Sequence, residues 1–211
     1  MNKIHLPGLN GIRAIAASIV IIFHLDQFSN TFHIKELGFH HTGMAGFGVT
    51  LFFVLSGYLI TYLLQIEKEK YFTIDLPKFY IRRILRIWPI YYLAIIITYI
   101  LFLSNQHFIN YPETNCTKTI ALYSLFLSNI GFSLGMAFPL ITPLWSVGTE
   151  EQFYLFWPLI INRSKQILIS IFFVIVLYII IKLSIYFILK NQLLYRIVLV
   201  LPFDVMALGG I

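Results

Sequence analysis

Long apolar runs separated by short polar segments dominate the chain. A helix that spans a membrane needs roughly 20 predominantly apolar residues. Four runs meet this requirement, and we predict a membrane-spanning helix in each: residues 10–30, 46–65, 87–104 and 167–189. Lys182 lies inside the fourth run, where a charged side chain is costly unless it reaches the interface or faces protein.

Polar residues interrupt three further apolar stretches. Residues 144–161 contain two glutamates, and residues 193–211 contain an arginine near the start and Asp204 inside. We predict these two as the fifth and sixth spans. The stretch 120–138 is rich in Ser, Asn and Gly, so we interpret it as a re-entrant or interfacial segment. Together the runs predict an all-α fold, a polytopic transmembrane helical bundle of about six spans.

Basic residues give the bundle an orientation. The loops after the first and third runs hold only Lys35 and Lys118, whereas six cations separate the second and third runs: Lys68, Lys70, Lys78, Arg82, Arg83 and Arg86. Lys and Arg accumulate in cytoplasmic loops. We therefore expect a multi-pass protein of the cell membrane, inner or plasma, with a cytoplasmic N-terminus. Arg163 and Lys165 should also be cytoplasmic, so residues 144–161 should cross inward.

Composition narrows the class of protein. Apolar types make up 59% of the 211 residues and charged types only 11%, less than half of what soluble domains carry. This excludes an ordinary soluble domain, and the ample apolar surface excludes a disordered chain. The net charge of +6 follows the membrane topology and does not indicate nucleic acid. The single cysteine, Cys116, excludes an intrachain disulfide and a cysteine-rich metal site.

Two of the ionisable residues in the first run are candidates for a functional role. Arg13 and His24 are eleven positions apart, nearly three helical turns, so they share one face. If Arg13 is at the cytoplasmic interface, His24 lies about 16 Å further along the helix, past the bilayer midplane. Arg13 fits a snorkelling anchor as well as a functional group. His24 fits a packed side chain or a proton-handling group, since imidazole titrates near neutral pH.

A second polar group opens the fifth run. Glu150 and Glu151 are expected near the outer end of their span, at a depth comparable with His24. Glu150 and Tyr154 are an i, i+4 pair and share a face. Trp145 and Trp157 bracket the segment as interfacial aromatics do. The alternative is that both glutamates are solvated in the outer loop.

A third group precedes the third run. A helix presents Arg82, Arg83 and Arg86 to one side, at the cytoplasmic interface. These arginines fit a role in binding lipid headgroups and in fixing the orientation of the protein in the membrane. They also fit a clamp for a phosphorylated ligand, because the guanidinium fork matches phosphate oxygens. The small residues around Gly48 and Ser56-Gly57 favour close helix packing over a nucleotide loop or a serine nucleophile.

Four segments, in order, resemble the acyltransferase 3 family of integral-membrane enzymes, which O-acylate cell-surface polysaccharides and related acceptors. They are Leu9-Asn-Gly-Ile-Arg13 with His24, Gly48-Val-Thr-Leu-Phe-Phe-Val-Leu-Ser-Gly-Tyr58, Arg83-Ile-Leu-Arg86-Ile-Trp-Pro89-Ile-Tyr91, and Trp145-Ser-Val-Gly-Thr-Glu150-Glu-Gln-Phe-Tyr154. Phe203-Asp-Val-Met-Ala-Leu-Gly209 matches more weakly. The family has roughly ten spans, so we expect residues 1–211 to form a single, C-terminally truncated acyltransferase domain.

The resemblance implies a role for each candidate residue. His24 would be the catalytic base with Arg13 its partner on the same helix, and Glu150 would be the family's acidic residue. Arg83 and Arg86 would lie near the phosphates of a cytosolic acyl-CoA, usually acetyl-CoA. Trp145, Glu151 and Tyr154 would line the side from which a carbohydrate hydroxyl enters. No metal is implied.

Two other functions fit the same residues. A proton-coupled transporter or flippase would use His24, Glu150 and Glu151 as a proton relay. A non-catalytic membrane partner would bind no acyl-CoA. The arginine cluster on one rim and the absence of an obvious inverted repeat favour the acyltransferase.

Overall fold

The structure, a computed structural model, describes residues 8–27, 29, 35, 38, 43–104 and 113–211. All regular elements in these ranges are helical. In chain order the α-helices are α1 (Leu9–Gln27), α2 (Met44–Tyr71), α3 (Leu76–Ser104), α4 (Glu113–Ser124), α5 (Ser128–Ser133), α6 (Leu144–Arg163), α7 (Ile167–Ser184), α8 (Gln192–Leu199) and α9 (Phe203–Leu208). A 3-10 turn (Pro139–Ile141) precedes α6, and a π-helical turn (Ile185–Leu189) extends α7.

The four predicted long spans are confirmed as helices. In the described part of the chain, four helices are long and apolar enough to cross a membrane: α1, α2, α3 and α7 with its π-helical extension. Both α2 and α3 continue beyond their apolar runs into the basic segment. Phe72 ends α2 in the left-handed region at φ 60°, and the Asp75 carboxylate accepts from the Lys78 amide in the first turn of α3. The basic segment is therefore a helical hairpin.

The stretch 120–138 does not form one continuous helix, and its expected re-entrant or interfacial position stays a prediction. Phe126, at φ 57°, adopts the left-handed conformation between α4 and α5. Neighbouring side chains satisfy the carbonyls that this break frees. Tyr91 donates to the Tyr123 carbonyl, Tyr92 donates to the Ser124 carbonyl, and Gln152 donates to the Phe126 carbonyl. Irregular backbone within a membrane protein persists where such donors replace the helical hydrogen bonds.

The prediction of a continuous sixth span over 193–211 is wrong. The chain forms the short helices α8 and α9 instead, with a break before Pro202. Proline lacks the amide that a continuing helix needs. Before this stretch, Lys190 turns the chain in the left-handed region, and the Asn191 side chain caps α8 by accepting from the Leu194 amide. The apolar run therefore folds back on the bundle.

The direction of α6 follows from its contacts. Ser56, Thr61 and Lys68 on α2 contact Glu150, Trp157 and Ile161 on α6, so both helices run the same way. On α3, Tyr80, Arg83 and Trp88 contact Leu155, Tyr154 and Glu151 in descending order, so these helices are antiparallel. Lys68 and Arg163 consequently lie at the same end. The relative direction predicted for residues 144–161 is confirmed. We call this end, which carries Lys68, Lys70, Lys78, Arg163 and Lys165, the basic end.

Candidate functional site

Glu150 is held between two helices. Its Oε1 accepts a hydrogen bond of 2.8 Å from the Ser56 hydroxyl on α2, and its Oε2 accepts one of 3.1 Å from the Tyr154 hydroxyl. The predicted i, i+4 relation between Glu150 and Tyr154 is thus a direct contact. Ser56 lies twelve residues before Lys68 on α2, which places this group about 18 Å from the basic end. Glu150 is therefore within the bundle and not in a loop.

Arg13 lies in the same layer as Glu150. Gly48 of α2 packs against α1 at Ala16 and Val20, and Ser56 lies about 12 Å from Gly48 toward the basic end. Arg13 precedes Ala16 by almost one turn, and its guanidinium interacts electrostatically with Glu150. Arg13 is thus about as far from the basic end as Glu150 is, and its expected position at the cytoplasmic interface stays a prediction. The axial position of α1 is set by its packing on α2, which spacing within α1 does not reveal.

His24 lies at a different depth. It is about 16 Å from Arg13 along α1, on the side away from the basic end, so the expectation that Glu150 shares its depth is also wrong. Its half-buried ring hydrogen-bonds Gln27 Oε1 at 3.2 Å and packs edge-on against Phe23. No hydrogen bond or ion pair joins His24 to Glu150 within the part of the chain that the structure covers.

Glu151 faces α3 instead of α2. Its Oε2 accepts a hydrogen bond of 3.1 Å from Trp88 Nε1, and its charge interacts with Arg83. Oε1 is buried and has no hydrogen-bond partner among the described residues. The two adjacent glutamates therefore serve different helix interfaces, as expected for consecutive positions on a helix.

Arg83 connects the acidic residues to a large opening. Its guanidinium carbon lies 5.5 Å from the ring centres of both Phe79 and Tyr154, and it interacts electrostatically with Glu150 and Glu151. Such cation–π contacts hold the Arg83 guanidinium group near the protein interior. Arg83 is half-buried, whereas Arg82 and Arg86 are exposed.

The opening is a cleft of about 1040 Å³ between α2 and α3 near the basic end. We call it the cationic cleft because five basic side chains line it: Lys70, Lys78, Arg82, Arg83 and Arg86. The prediction that the three arginines share one side is confirmed. Two carboxylates, Glu67 and Asp75, also line it, and Glu67 lies 3.4 Å from Arg82. Apolar residues of α2, including Leu63 and Leu64, form its wall.

The two predicted interfacial tryptophans have different surroundings. Trp157 is only 1% exposed and donates to the Thr61 hydroxyl at 2.8 Å, so its interpretation as an interfacial residue is wrong. Trp145 is half-buried, stacks on Phe132 and lies edge-on to Phe53. It is near the start of α6, at the end of the bundle opposite the basic end.

Tertiary contacts reveal an ion pair that the sequence patterns did not assign. Lys182 on α7 donates to both carboxylate oxygens of Asp204 on α9, at 2.8 and 2.7 Å. Both residues interrupt apolar runs, and a charge in such a run is expected to find a partner. The opposite charges of Lys182 and Asp204 were therefore the sequence feature from which this ion pair could have been predicted. The contact of Ser56 with Glu150 was also missed. In the sequence, a small residue beside Gly57 indicated only close helix packing.

Within the described ranges there is no group of three or more His, Cys, Asp or Glu side chains placed to hold a metal ion. His5, His33, His40, His41 and His107 lie outside those ranges.

Comparison with known proteins places the chain in a family. Residues 6–208 match the family model described as an acyltransferase domain, so the chain belongs to the acyltransferase 3 family. It is 34% identical over 160 residues to "Peptidoglycan O-acetyltransferase OatA" of Listeria monocytogenes, a match that covers 73% of this chain and 24% of that protein. It is 35% identical over 177 residues to "Putative peptidoglycan O-acetyltransferase YrhL" of Bacillus subtilis, covering 79% and 25%.

The chain thus spans about a quarter of the length of the curated relatives it matches. No solved structure shows a significant match to it.

Proposed function

We propose that the protein is a membrane-embedded O-acetyltransferase. It takes an acetyl group from acetyl-CoA on the cytoplasmic side and transfers it to a hydroxyl of a cell-wall glycan on the other side. The observation that carries this proposal is the position of Arg83. This residue lines the cationic cleft and at the same time contacts Tyr154 on the helix that bears Glu150. A donor bound in the cleft would therefore lie next to the acidic residues.

The cleft suits the head group of coenzyme A. Phosphate oxygens prefer arginine forks, and Arg82, Arg83 and Arg86 converge there with two lysines. The head group is anionic and cytosolic, which matches the basic end under the positive-inside rule. Its thin pantetheine arm could extend past Arg83 toward Glu150 and then His24. In this proposal anionic lipid binding remains a second use of the exposed cations.

The chemistry is acyl transfer to a hydroxyl. The acceptor oxygen attacks the thioester carbonyl carbon, the carbon–sulfur bond breaks, and the coenzyme leaves as a thiolate. His24 takes the proton from the hydroxyl and returns it to the thiolate, a role that suits a group titrating near neutral pH. A route through an acetylated His24 gives the same products. His24 lies on the side of Glu150 away from the basic end, where an external acceptor arrives, and Trp145 and Glu151 would border its path.

Glu150 and Arg13 form the middle of this path. Ser56 and Tyr154 fix both carboxylate oxygens of Glu150, and Arg13 supplies the opposite charge. We assign Glu150 and Arg13 to binding and orienting the acyl arm of the donor on its way from the cleft to His24, because they lie about 16 Å from that ring.

The test uses the full-length protein in inside-out membrane vesicles, with labelled acetyl-CoA added to the exposed cytoplasmic face. Mass spectrometry of glycan from the lumen should detect O-acetyl groups. Arg86→Ala should raise the KM for acetyl-CoA about 10- to 100-fold, since a charge-assisted hydrogen bond contributes about 1.5–3 kcal/mol. Lys165→Ala removes a cation at the same end but outside the cleft, and should leave KM within about twofold. Glycan movement without acetylation would favour the transporter and contradict the proposal.

A further inference from the structure

A segment that carries no candidate catalytic residue, residues 200–210, packs directly behind the Glu150 site. Met206 and Ala207 in it are fully buried. The segment contains α9 and contacts three helices that are far apart in the chain. Two of these contacts lie directly beside Ser56 and Glu150 in the chain.

The contact with α2 leaves no room for side chains. A methyl group at Gly57 would overlap the Met206 carbonyl, and one at Gly209 would overlap the Val54 carbonyl. Gly57 directly follows Ser56. Because the backbones of α2 and α9 are in direct contact at these glycines, a shift of α9 would move the part of α2 that carries the Ser56 hydroxyl.

The contact with α6 is a hydrogen bond beside Glu150. The Thr149 hydroxyl donates to the Val200 carbonyl at 2.8 Å, in the break that precedes α9. Thr149 is fully buried, so the bond is shielded from water. The 200–210 segment is thus linked to the residues next to both partners of the Ser56–Glu150 hydrogen bond.

The third contact is the Lys182–Asp204 ion pair with α7. Lys182 lies fifteen residues into α7 from the basic end, about 22 Å, which is close to the depth of Ser56 and Glu150. The ammonium also lies 5.1 Å from the ring centre of Tyr178. Both charged side chains are largely shielded, at 21% and 16% exposure, so neither has bulk water as an easy alternative partner.

We infer that Lys182 and Asp204 are positioning residues: their ion pair fixes α9 to α7 in the position from which α9 packs on α2, and thereby sets the Ser56–Glu150 hydrogen bond. Its effect on catalysis rests on the proposed acetyltransferase function. The donor cleft shares no lining residue with this contact, so donor binding should not depend on the pair.

Kinetics of the full-length protein test the catalytic part. Lys182→Met should lower kcat at least tenfold and leave the KM for acetyl-CoA within twofold. The charge exchange K182D/D204K should recover at least a third of the lost kcat, because it restores the ion pair with its charges reversed. If Lys182→Met fails to fold, Asp204→Asn provides the same test, with a three- to tenfold loss of kcat, because it keeps an oxygen acceptor for the Lys182 ammonium and removes only the negative charge. An unchanged kcat in the variant used, or no recovery on charge exchange, overturns the inference.

Hydrogen–deuterium exchange tests the positioning without reference to acetyl transfer. Lys182→Met, or Asp204→Asn in its place, should speed exchange at least fivefold in residues 203–210 and in the facing part of α2. Exchange in α3 should stay unchanged. An unchanged rate in α9 overturns the inference. A wild-type protein that shows no acetyl transfer contradicts the proposed function alone.

Discussion

Ser56 and Glu150 lie 94 positions apart in the chain, yet a hydrogen bond of 2.8 Å joins them. Two helices that run in the same direction, α2 and α6, supply the two partners. The Tyr154 hydroxyl donates a hydrogen bond to the other carboxylate oxygen of Glu150, and Arg13 provides the opposite charge from a third helix. The position of the carboxylate thus depends on the packing of three helices.

Removal of the Ser56 hydroxyl should impair acetyl transfer. Ser56→Ala leaves Glu150 Oε1 without its donor, and a hydrogen bond to a charged group contributes about 1.5–3 kcal/mol. We expect kcat to fall about 10- to 100-fold, as measured by acetyl transfer in vesicles. Ser104→Ala is the control, because its exposed hydroxyl bonds only carbonyls of its own helix. Equal kcat values for the two variants would remove Ser56 from the site.

Removal of the His24 ring tests the proposed base. General acid–base catalysis typically contributes about 10²–10⁴ in rate, so His24→Ala should lower kcat by that factor. Binding of acetyl-CoA to the purified protein should be unchanged, since the cleft lies at the other end of the bundle. Gln27→Ala keeps the ring and removes its hydrogen-bond partner, and should cost less than tenfold. Normal acetylation by His24→Ala would assign the proton transfer to another group.

A methyl group at Gly57 should destabilise the fold. It would overlap the Met206 carbonyl, which belongs to backbone and cannot rotate away. Overpacking costs about 1–3 kcal/mol, which Gly57→Ala should show as a lower melting temperature in detergent. Gly46→Ala is the matched control on the same helix, because no heavy atom lies within 4 Å of its added methyl group. A Gly57→Ala protein as stable as Gly46→Ala would show that α9 does not pack at this point.

Lys68 should contribute to stability and not to donor binding. Its ammonium donates to the carbonyls of Ile161, Asn162 and Ser164 at the C-terminal end of α6. These carbonyls lack helical partners, and a cation is favourable there. Lys68→Met should lower the free energy of unfolding by about 1–3 kcal/mol. The KM for acetyl-CoA should stay constant, because Lys68 does not line the cleft.

The matched control for Lys68 is Lys165→Met, an exposed cation at the same end. It should melt near the wild-type temperature. If both variants lose the same stability, the effect comes from net charge at the basic end and not from the contact with α6.

The position of the four long spans could be predicted from the sequence, because about 20 consecutive apolar residues have few alternatives to a helix in a membrane. The polar content of residues 120–138 set this stretch apart from the four spans, but the break at Phe126 was not predicted. The fold-back of residues 193–211 was not predicted either, because average hydropathy does not register how Lys190, Asn191 and Pro202 act on the backbone. The charges of Lys182 and Asp204 within apolar runs each indicated that the residue needs a partner. The sequence did not show which residue that partner is.

For the candidate site, the sequence determined which residue types are present and which of them share a helix face, because helical geometry fixes local spacing. It thus placed Glu150 with Tyr154, and the three arginines together. The tertiary structure alone decided that Arg13 and not His24 lies level with Glu150, and that Ser56 reaches Glu150. Those relations depend on how far each helix is shifted along its axis. That shift is set by contacts between residues far apart in the chain, such as the packing of Gly48 of α2 against α1.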